Sequence, residues 1–142
     1  MNLKKTAMTI ALLSTSAIAT CAHAGSEAFV YLTSPSSQTQ GMAMVLANQM
    51  QQQGAKVSLL LCDGAGDMAL QDHQSDSLKP RDVTPVQLMQ QLMQGGASVE
   101  VCALYLPNKP ATPADLLDGI TPAQPPQIAK KMLDPAVKVF SF

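Results

Sequence analysis

Four short apolar runs punctuate the chain, at residues 28–33, 57–62, 98–104 and 136–142. Hydrophobic side chains at successive positions, without the alternation of a half-exposed sheet, are the pattern of strands buried on both faces. Between the first two runs, residues 39–53 set Met42, Val45, Leu46 and Met50 at helical spacing and stop at Gly54. Thr84-Pro85-Val86-Gln87 has the form of a capping box with proline at the first helical position. It opens a helix through Leu88, Met89, Leu92 and Met93 that ends at Gly95-Gly96. The start signal recurs at Thr112-Pro113-Ala114-Asp115 and Thr121-Pro122-Ala123-Gln124, where two shorter helices are expected. Strands joined by helices imply parallel pairing and right-handed crossovers, hence a small doubly wound α/β layer. Residues 63–82 are the least regular part: Met68-Ala69-Leu70 is expected to start a short helix, and the polar stretch 71–82 reads as an exposed loop.

Residues 1–24 follow a different logic. Lys4 and Lys5 make a positive start, residues 7–20 are an uncharged apolar run of 14, and Ala22-His23-Ala24 supplies an A-x-A cleavage pattern before Gly25. Such a run is shorter than the roughly 20 residues that cross a bilayer. The segment therefore reads as a Sec-type signal peptide cleaved after Ala24. A single domain over residues 25–142 would remain, outside the cytoplasm in a bacterial periplasm and without membrane insertion. Lipoprotein processing at Cys21 is the alternative, although Thr20 stands where a small Gly or Ala is expected.

Cleavage changes the arithmetic of the chemistry. Of the three cysteines, Cys21 leaves with the leader, and Cys62 with Cys102 are too few for a disulfide-built mini-fold. Seven Lys/Arg then face ten Asp/Glu, a net charge of −3 with no basic cluster, which argues against nucleic acid as a partner. With 46% hydrophobic residues the chain has the composition of a globular protein, not a disordered one. His73 is the one histidine after residue 24, so a Ser/His/Asp triad is not arguable.

In doubly wound sheets the functional crevice lies beyond the carboxyl ends of the strands. Cys62 closes the second run and Cys102 falls late in the third, so both lie on or near that edge. Cys102 reads either as a small buried hydrophobe or as a reactive thiol. Lys109 in the following loop, and the amino end of a helix at Thr112, would then favour its thiolate.

The segment Val99-Glu100-Val101-Cys102, followed by Thr112-Pro113-Ala114-Asp115-Leu116-Leu117-Asp118-Gly119-Ile120, resembles the DsrE/DsrF family. Members show an apolar strand ending in a V-x-V-C-like element, a loop, and a D-L-hydrophobic-x-G-hydrophobic segment. The resemblance extends through Gly54-Ala55-Lys56-Val57, Gly95-Gly96-Ala97-Ser98-Val99 and the closing Val137-Lys138-Val139-Phe140-Ser141-Phe142, and so covers roughly residues 28–142. It implies a flavodoxin-like α/β subunit of about four to five mostly parallel strands, assembled as a homo-oligomer (trimer or hexamer). It also implies a sulfur relay in which the position matching the family's persulfide-carrying cysteine is Cys102. Many relatives place an Arg-Gly pair shortly after that cysteine, whereas Leu106-Pro107-Asn108-Lys109-Pro110 stands here.

Four other constellations compete. Cys62 and Cys102 could pair in an oxidising compartment. If the first strand lay between the second and third, however, the strands bearing them would be about 9.5 Å apart, beyond the roughly 7 Å limit for a disulfide. Gly64-Ala65-Gly66-Asp67-Met68-Ala69 fits G-x-G-x-x-A, but it follows the second strand and Asp67 would bring negative charge towards a pyrophosphate, so a tight turn is the simpler reading. Cys62, Asp63, Asp67 and His73 match no compact zinc spacing. Seven methionines after residue 24 raise Cu(I), yet Met42, Met50, Met89 and Met93 sit at helical core spacing, which reads as packing. The glutamines Gln49, Gln51, Gln52, Gln53, Gln90, Gln91 and Gln94 are expected to form a polar helix face or a subunit contact.

The functional expectation is a periplasmic sulfur carrier or sulfurtransferase subunit. Cys102 would bear a persulfide, Lys109 would steady its thiolate, Cys62 would be auxiliary, and a sulfur donor or acceptor protein would be the partner. Persulfide transfer is expected in place of hydrolysis or nucleotide-cofactor redox chemistry, and neither cofactor nor metal is required. The alternatives are a non-catalytic oligomeric binding or assembly module of the same fold and, less well supported, a periplasmic metal-binding protein.

Overall fold

The computed structural model describes residues 25–142. The expected signal peptide, and Cys21 with it, lie outside the described residues. Five strands form one sheet: β1 (Glu27–Leu32), β2 (Lys56–Leu61), β3 (Ser98–Val101), β4 (Ile120–Pro122) and β5 (Val137–Ser141). Their order is β4-β3-β2-β1-β5 and every pairing is parallel. The α-helices are α1 (Ser37–Gln52), α2 (Pro85–Gln94) and α3 (Pro125–Leu133).

The strands alternate between two unequal apolar layers. Ala28, Val30, Leu32, Val57, Leu59, Leu61, Val99 and Val101 point into the larger one, where they meet Ala43, Met44 and Ala47 of α1 and Met89 and Leu92 of α2. Phe29 and Leu60 point the other way, with Cys62, against Ala123 and Ile128 of the α3 segment. Lys131 of α3 lies over the Phe29 ring, 5.5 Å from its centroid, and 4.0 Å from the Glu100 carboxylate. Both faces of β1 and β2 are thus covered, which explains their apolar runs, whereas the edge strand β5, expected to be buried on both faces, leaves Lys138, Val139 and Ser141 exposed.

Several expectations need correction. The sequence reading allowed β1 between β2 and β3, but β2 and β3 pair directly and β1 lies between β2 and β5. The register runs Leu32↔Leu61 and Leu61↔Val101, so the carboxyl ends of β1, β2 and β3 stand side by side.

In α1 the helical stripe Met42, Val45 and Leu46 faces outward, 55%, 41% and 39% exposed, while Gln40, Gly41, Ala43, Met44, Ala47 and Asn48 are buried. At Gly41 close packing selects a small residue, since a Cβ there would lie 2.2 Å from Leu78 Cδ1. The buried polar groups are satisfied: Asn48 Nδ2 donates to the carbonyls of Met44 (2.8 Å) and Leu88 (3.0 Å), and Gln40 Nε2 donates to Ser34 O at 3.0 Å. Met42 is therefore no core residue, whereas Met89 is fully buried and Met50 and Met93 pack partly buried against the core.

The Thr84 signal is realised in full, with Gln87 N–H donating to Thr84 Oγ1 and Thr84 N–H donating to Gln87 Oε1. The Thr112 signal yields only a three-residue 3-10 turn, Pro113–Asp115. The Thr121 signal lies in β4, whose partner register includes Val101↔Pro122. A proline without an N–H is tolerated there because β4 is an edge strand, and the helix starts later, after Gln124. In place of a helix starting at Met68, residues Asp63–Ala69 form a 3-10 segment that ends there.

Candidate functional site

Cys62 and Cys102 follow immediately on β2 and β3 and extend the ladder by one step. Cys62 N–H donates to Leu32 O at 2.9 Å, and Cys102 N–H donates to Leu61 O at 2.8 Å. Neighbouring parallel strands lie about 4.8 Å apart, so the separation that argued against pairing does not exist. Both thiols are free. They differ in access: Cys62 is buried, 6% exposed, and Cys102 is half-buried.

Tyr31, near the end of β1, joins them. Its hydroxyl and the Cys102 thiol both act on the titration of Cys62. Burial, and then the neighbouring Cys102, push the Cys62 thiol up to about 12, while Tyr31 acts in the opposite direction. Tyr31 is raised too, first by its own burial and then by Cys62. Cys62 therefore keeps its proton at neutral pH.

Cys102 opens onto a cavity of about 310 Å³ lined also by Asp63, Gly64, Leu104, Tyr105, Asn108 and Lys109. Lys109 thus stands in the same cavity as Cys102, as the sequence suggested, but its charge is engaged. Its Nζ donates to Asp67 Oδ1 at 2.8 Å and lies 5.4 Å from the centre of the Tyr105 ring. Tyr105 donates its hydroxyl to the same Asp67 oxygen. Burial alone would raise the Asp67 carboxyl, but the bonds from Lys109 and Tyr105 outweigh it and hold the group below its ordinary value. Burial, then the Asp67 bond, raises Tyr105. The expected helix at Thr112 is absent, and Thr112 N–H and Oγ1 both donate to Asp115 Oδ2 instead.

The glycines of the 63–69 segment serve packing. A Cβ on Gly64 would lie 2.6 Å from Pro35 Cβ, and one on Gly66 would lie 2.4 Å from the Tyr105 ring. The left-handed backbone in this turn belongs to Asp63, at φ 50°. Among the described residues no group of three or more His, Cys, Asp or Glu is placed to hold a metal ion, so Cys62, Asp63, Asp67 and His73 do not form a centre. Sequence reasoning did not single out Tyr31, Tyr105 or the Asp67–Lys109 pair. Tyr31 reads simply as part of an apolar strand, and Asp67 meets Tyr105 only through the fold.

These features define a small all-parallel α/β protein with two neighbouring thiols at the carboxyl edge of its sheet. Among solved structures, the chain is similar to the ychN protein from E. coli, with a TM-score of 0.68 at 16% identity, over 83% of this chain and 99% of that one. It is also similar to MTH1491 from Methanobacterium thermoautotrophicum, with a TM-score of 0.61 at 9% identity, over 82% of this chain and 99% of that one. These likenesses show a shared fold, an α/β subunit of the kind that the resemblance to the DsrE/DsrF family implied. No family model matches the sequence, and no curated protein matches it.

Proposed function

We propose that this is an exported sulfur carrier or sulfurtransferase subunit of DsrE-like fold, with Cys102 as its persulfide-bearing thiol. The observation that carries the reading is the position of Cys102: half-buried, at the carboxyl edge of a parallel sheet, on an open cavity. The Cys102 thiolate attacks the outer sulfur of a donor persulfide. A new S–S bond forms at Cys102, the donor's S–S bond breaks, and the donor leaves as a thiolate. An acceptor thiolate then takes the outer sulfur in the same way and frees Cys102. Lys109, neutralised by Asp67, holds the cavity wall through Tyr105 and is not a free counter-charge. Sulfur arrives and leaves on a partner protein or a small persulfide in the periplasm.

The test is to incubate the native protein with glutathione persulfide and map its cysteines by mass spectrometry. Sulfane sulfur on Cys102, or sulfide released from it, is expected in the wild type and absent in Cys102→Ser. A Cys102 that stays unmodified and closed to small alkylating reagents overturns the reading.

A second reading, a homo-oligomeric binding or assembly module, is favoured by the outward stripe Met42, Val45 and Leu46 on α1. Met42 and Val45 also line a groove of about 840 Å³ shared with residues 77–83. It differs in expecting Cys102→Ser to leave both assembly and function intact.

A further inference from the structure

We infer that Cys62 is an internal resolving thiol, which removes sulfur adducts from Cys102 by closing a disulfide between the ends of β2 and β3. The inference rests on the sulfur-carrier reading only for the identity of the natural adduct; the pairing itself stands on the geometry.

Three observations carry it. Both cysteines sit one residue beyond the paired positions Leu61↔Val101 of adjacent strands. The spacing of neighbouring strands, about 4.8 Å, falls inside the about 4.4–6.8 Å range of Cα separations that disulfides span. Finally, the pair is asymmetric: Cys102 lines the cavity, while Cys62 is buried behind it and is not among the cavity's lining residues.

The asymmetry assigns the order of events. External reagents meet Cys102 first, and Cys62, buried and protonated, is reached only by a sulfur already attached to Cys102. In the resolving step Cys62 Sγ attacks Cys102 Sγ, the S–S bond between Cys102 and the adduct breaks, and the Cys62 proton leaves with the departing sulfur. From a persulfide the products are the Cys62–Cys102 disulfide and hydrogen sulfide. From a glutathione adduct they are the same disulfide and glutathione. The two protein thiols supply the two electrons that reduce the departing sulfur, so no outside oxidant enters this step. A dithiol reductant then returns the pair to its free state. Tyr31 on the adjacent strand β1, which favours the Cys62 thiolate, steadies the negative charge that develops there as the proton departs.

The experiment has two arms. In the first, the full protein is treated with glutathione disulfide and mapped by peptide mass spectrometry. The wild type is expected to lose the glutathione adduct and to show a Cys62–Cys102 peptide with two hydrogens fewer, whereas Cys62→Ser retains one glutathione on Cys102. Cys62→Ala repeats the arm in case a hydroxyl disturbs the buried position, and the wild-type mapping depends on no variant. An adduct that persists equally in wild type and variants overturns the inference, as does a wild type that forms neither adduct nor disulfide.

In the second arm glutathione persulfide replaces glutathione disulfide. The wild type is expected to release sulfide and close the disulfide, while Cys62→Ser keeps the persulfide. A persulfide equally long-lived in both proteins overturns the resolving step and leaves the carrier reading standing. If neither protein takes up or releases sulfane sulfur while the first arm closes the disulfide, the carrier reading fails and the resolving pair stands.

Discussion

At the scale of the residue, the candidate site is held by close contacts that leave little room for change. Gly66 lies so near the Tyr105 ring that a methyl group would meet it at 2.4 Å. The ring is buried, and its hydroxyl is committed to Asp67, so it cannot move away freely. Gly66→Ala should therefore destabilise the protein by about 1–3 kcal/mol, the usual cost of overpacking, read as a lower midpoint in urea unfolding. Gly54 makes the contrast: its backbone is left-handed at φ 89°, but nothing approaches its missing side chain, so alanine there costs only the backbone strain of about 1–2 kcal/mol. The sequence made Cys62, Cys102 and Lys109 visible because cysteines near strand ends and a lysine in the next loop are few and distinctive. It hid what they bond to. Lys109 turns to Asp67, a partner 42 residues away, and Tyr31 acts on Cys62 from the adjacent strand β1, and neither relation leaves a mark in local spacing.

At the scale of the element, the three Thr-Pro signals separate a local code from its context. The Thr84 box sits at the head of a ten-residue helix whose Met89 and Leu92 are buried in the larger core layer, so its two hydrogen bonds support a structure that packing already favours. Thr84→Ala should cost about 1 kcal/mol, measured by chemical denaturation, with Thr84→Ser restoring most of it. At Thr112 the bonds to Asp115 close only an exposed 3-10 turn, and at Thr121 the chain pairs with β3 instead. Helix α1 was legible in its extent and not in its orientation. Hydropathy pointed to Met42, Val45 and Leu46, whereas the buried face carries Gly41, Ala43, Ala47 and Asn48. Small residues allow close approach, and Asn48 is acceptable inside because its amide finds two carbonyls. A pattern read from hydrophobicity alone ranks such a face below the bulky one opposite.

At the scale of the whole molecule, the class of fold was legible because four of the five strands coincide with apolar-rich runs separated by helical patterns. The three-residue β4 was not, since it carries a proline and pairs on one side only. Strand order was also out of reach, because similar apolar strands can be permuted without altering the hydropathy pattern.

Burial on the central strand links Cys62 to global stability. Its thiol is held protonated up to about 12 in the folded protein, whereas an unfolded thiol ionises near about 8.5. The unfolded state therefore loses the proton first as pH rises. The stabilisation from a neutral Cys62 is complete below about pH 8.5 and is lost progressively above it, towards the folded value. Urea unfolding followed from neutral to alkaline pH should show a steeper loss of stability in the wild type than in Cys62→Ala. Parallel curves would show that Cys62 contributes nothing to the alkaline limb.

The register of the sheet has an evolutionary consequence. Because a strand's side chains alternate sides, inserting or deleting one residue within β3, with its pairing otherwise kept, would turn Cys102 towards α1 and α2 and leave Cys62 facing α3. Two residues would restore the match. Length changes in this strand are therefore subject to a rule of parity, while the loops on either side are free of it, and a lineage that keeps both thiols useful can vary β3 only in even steps.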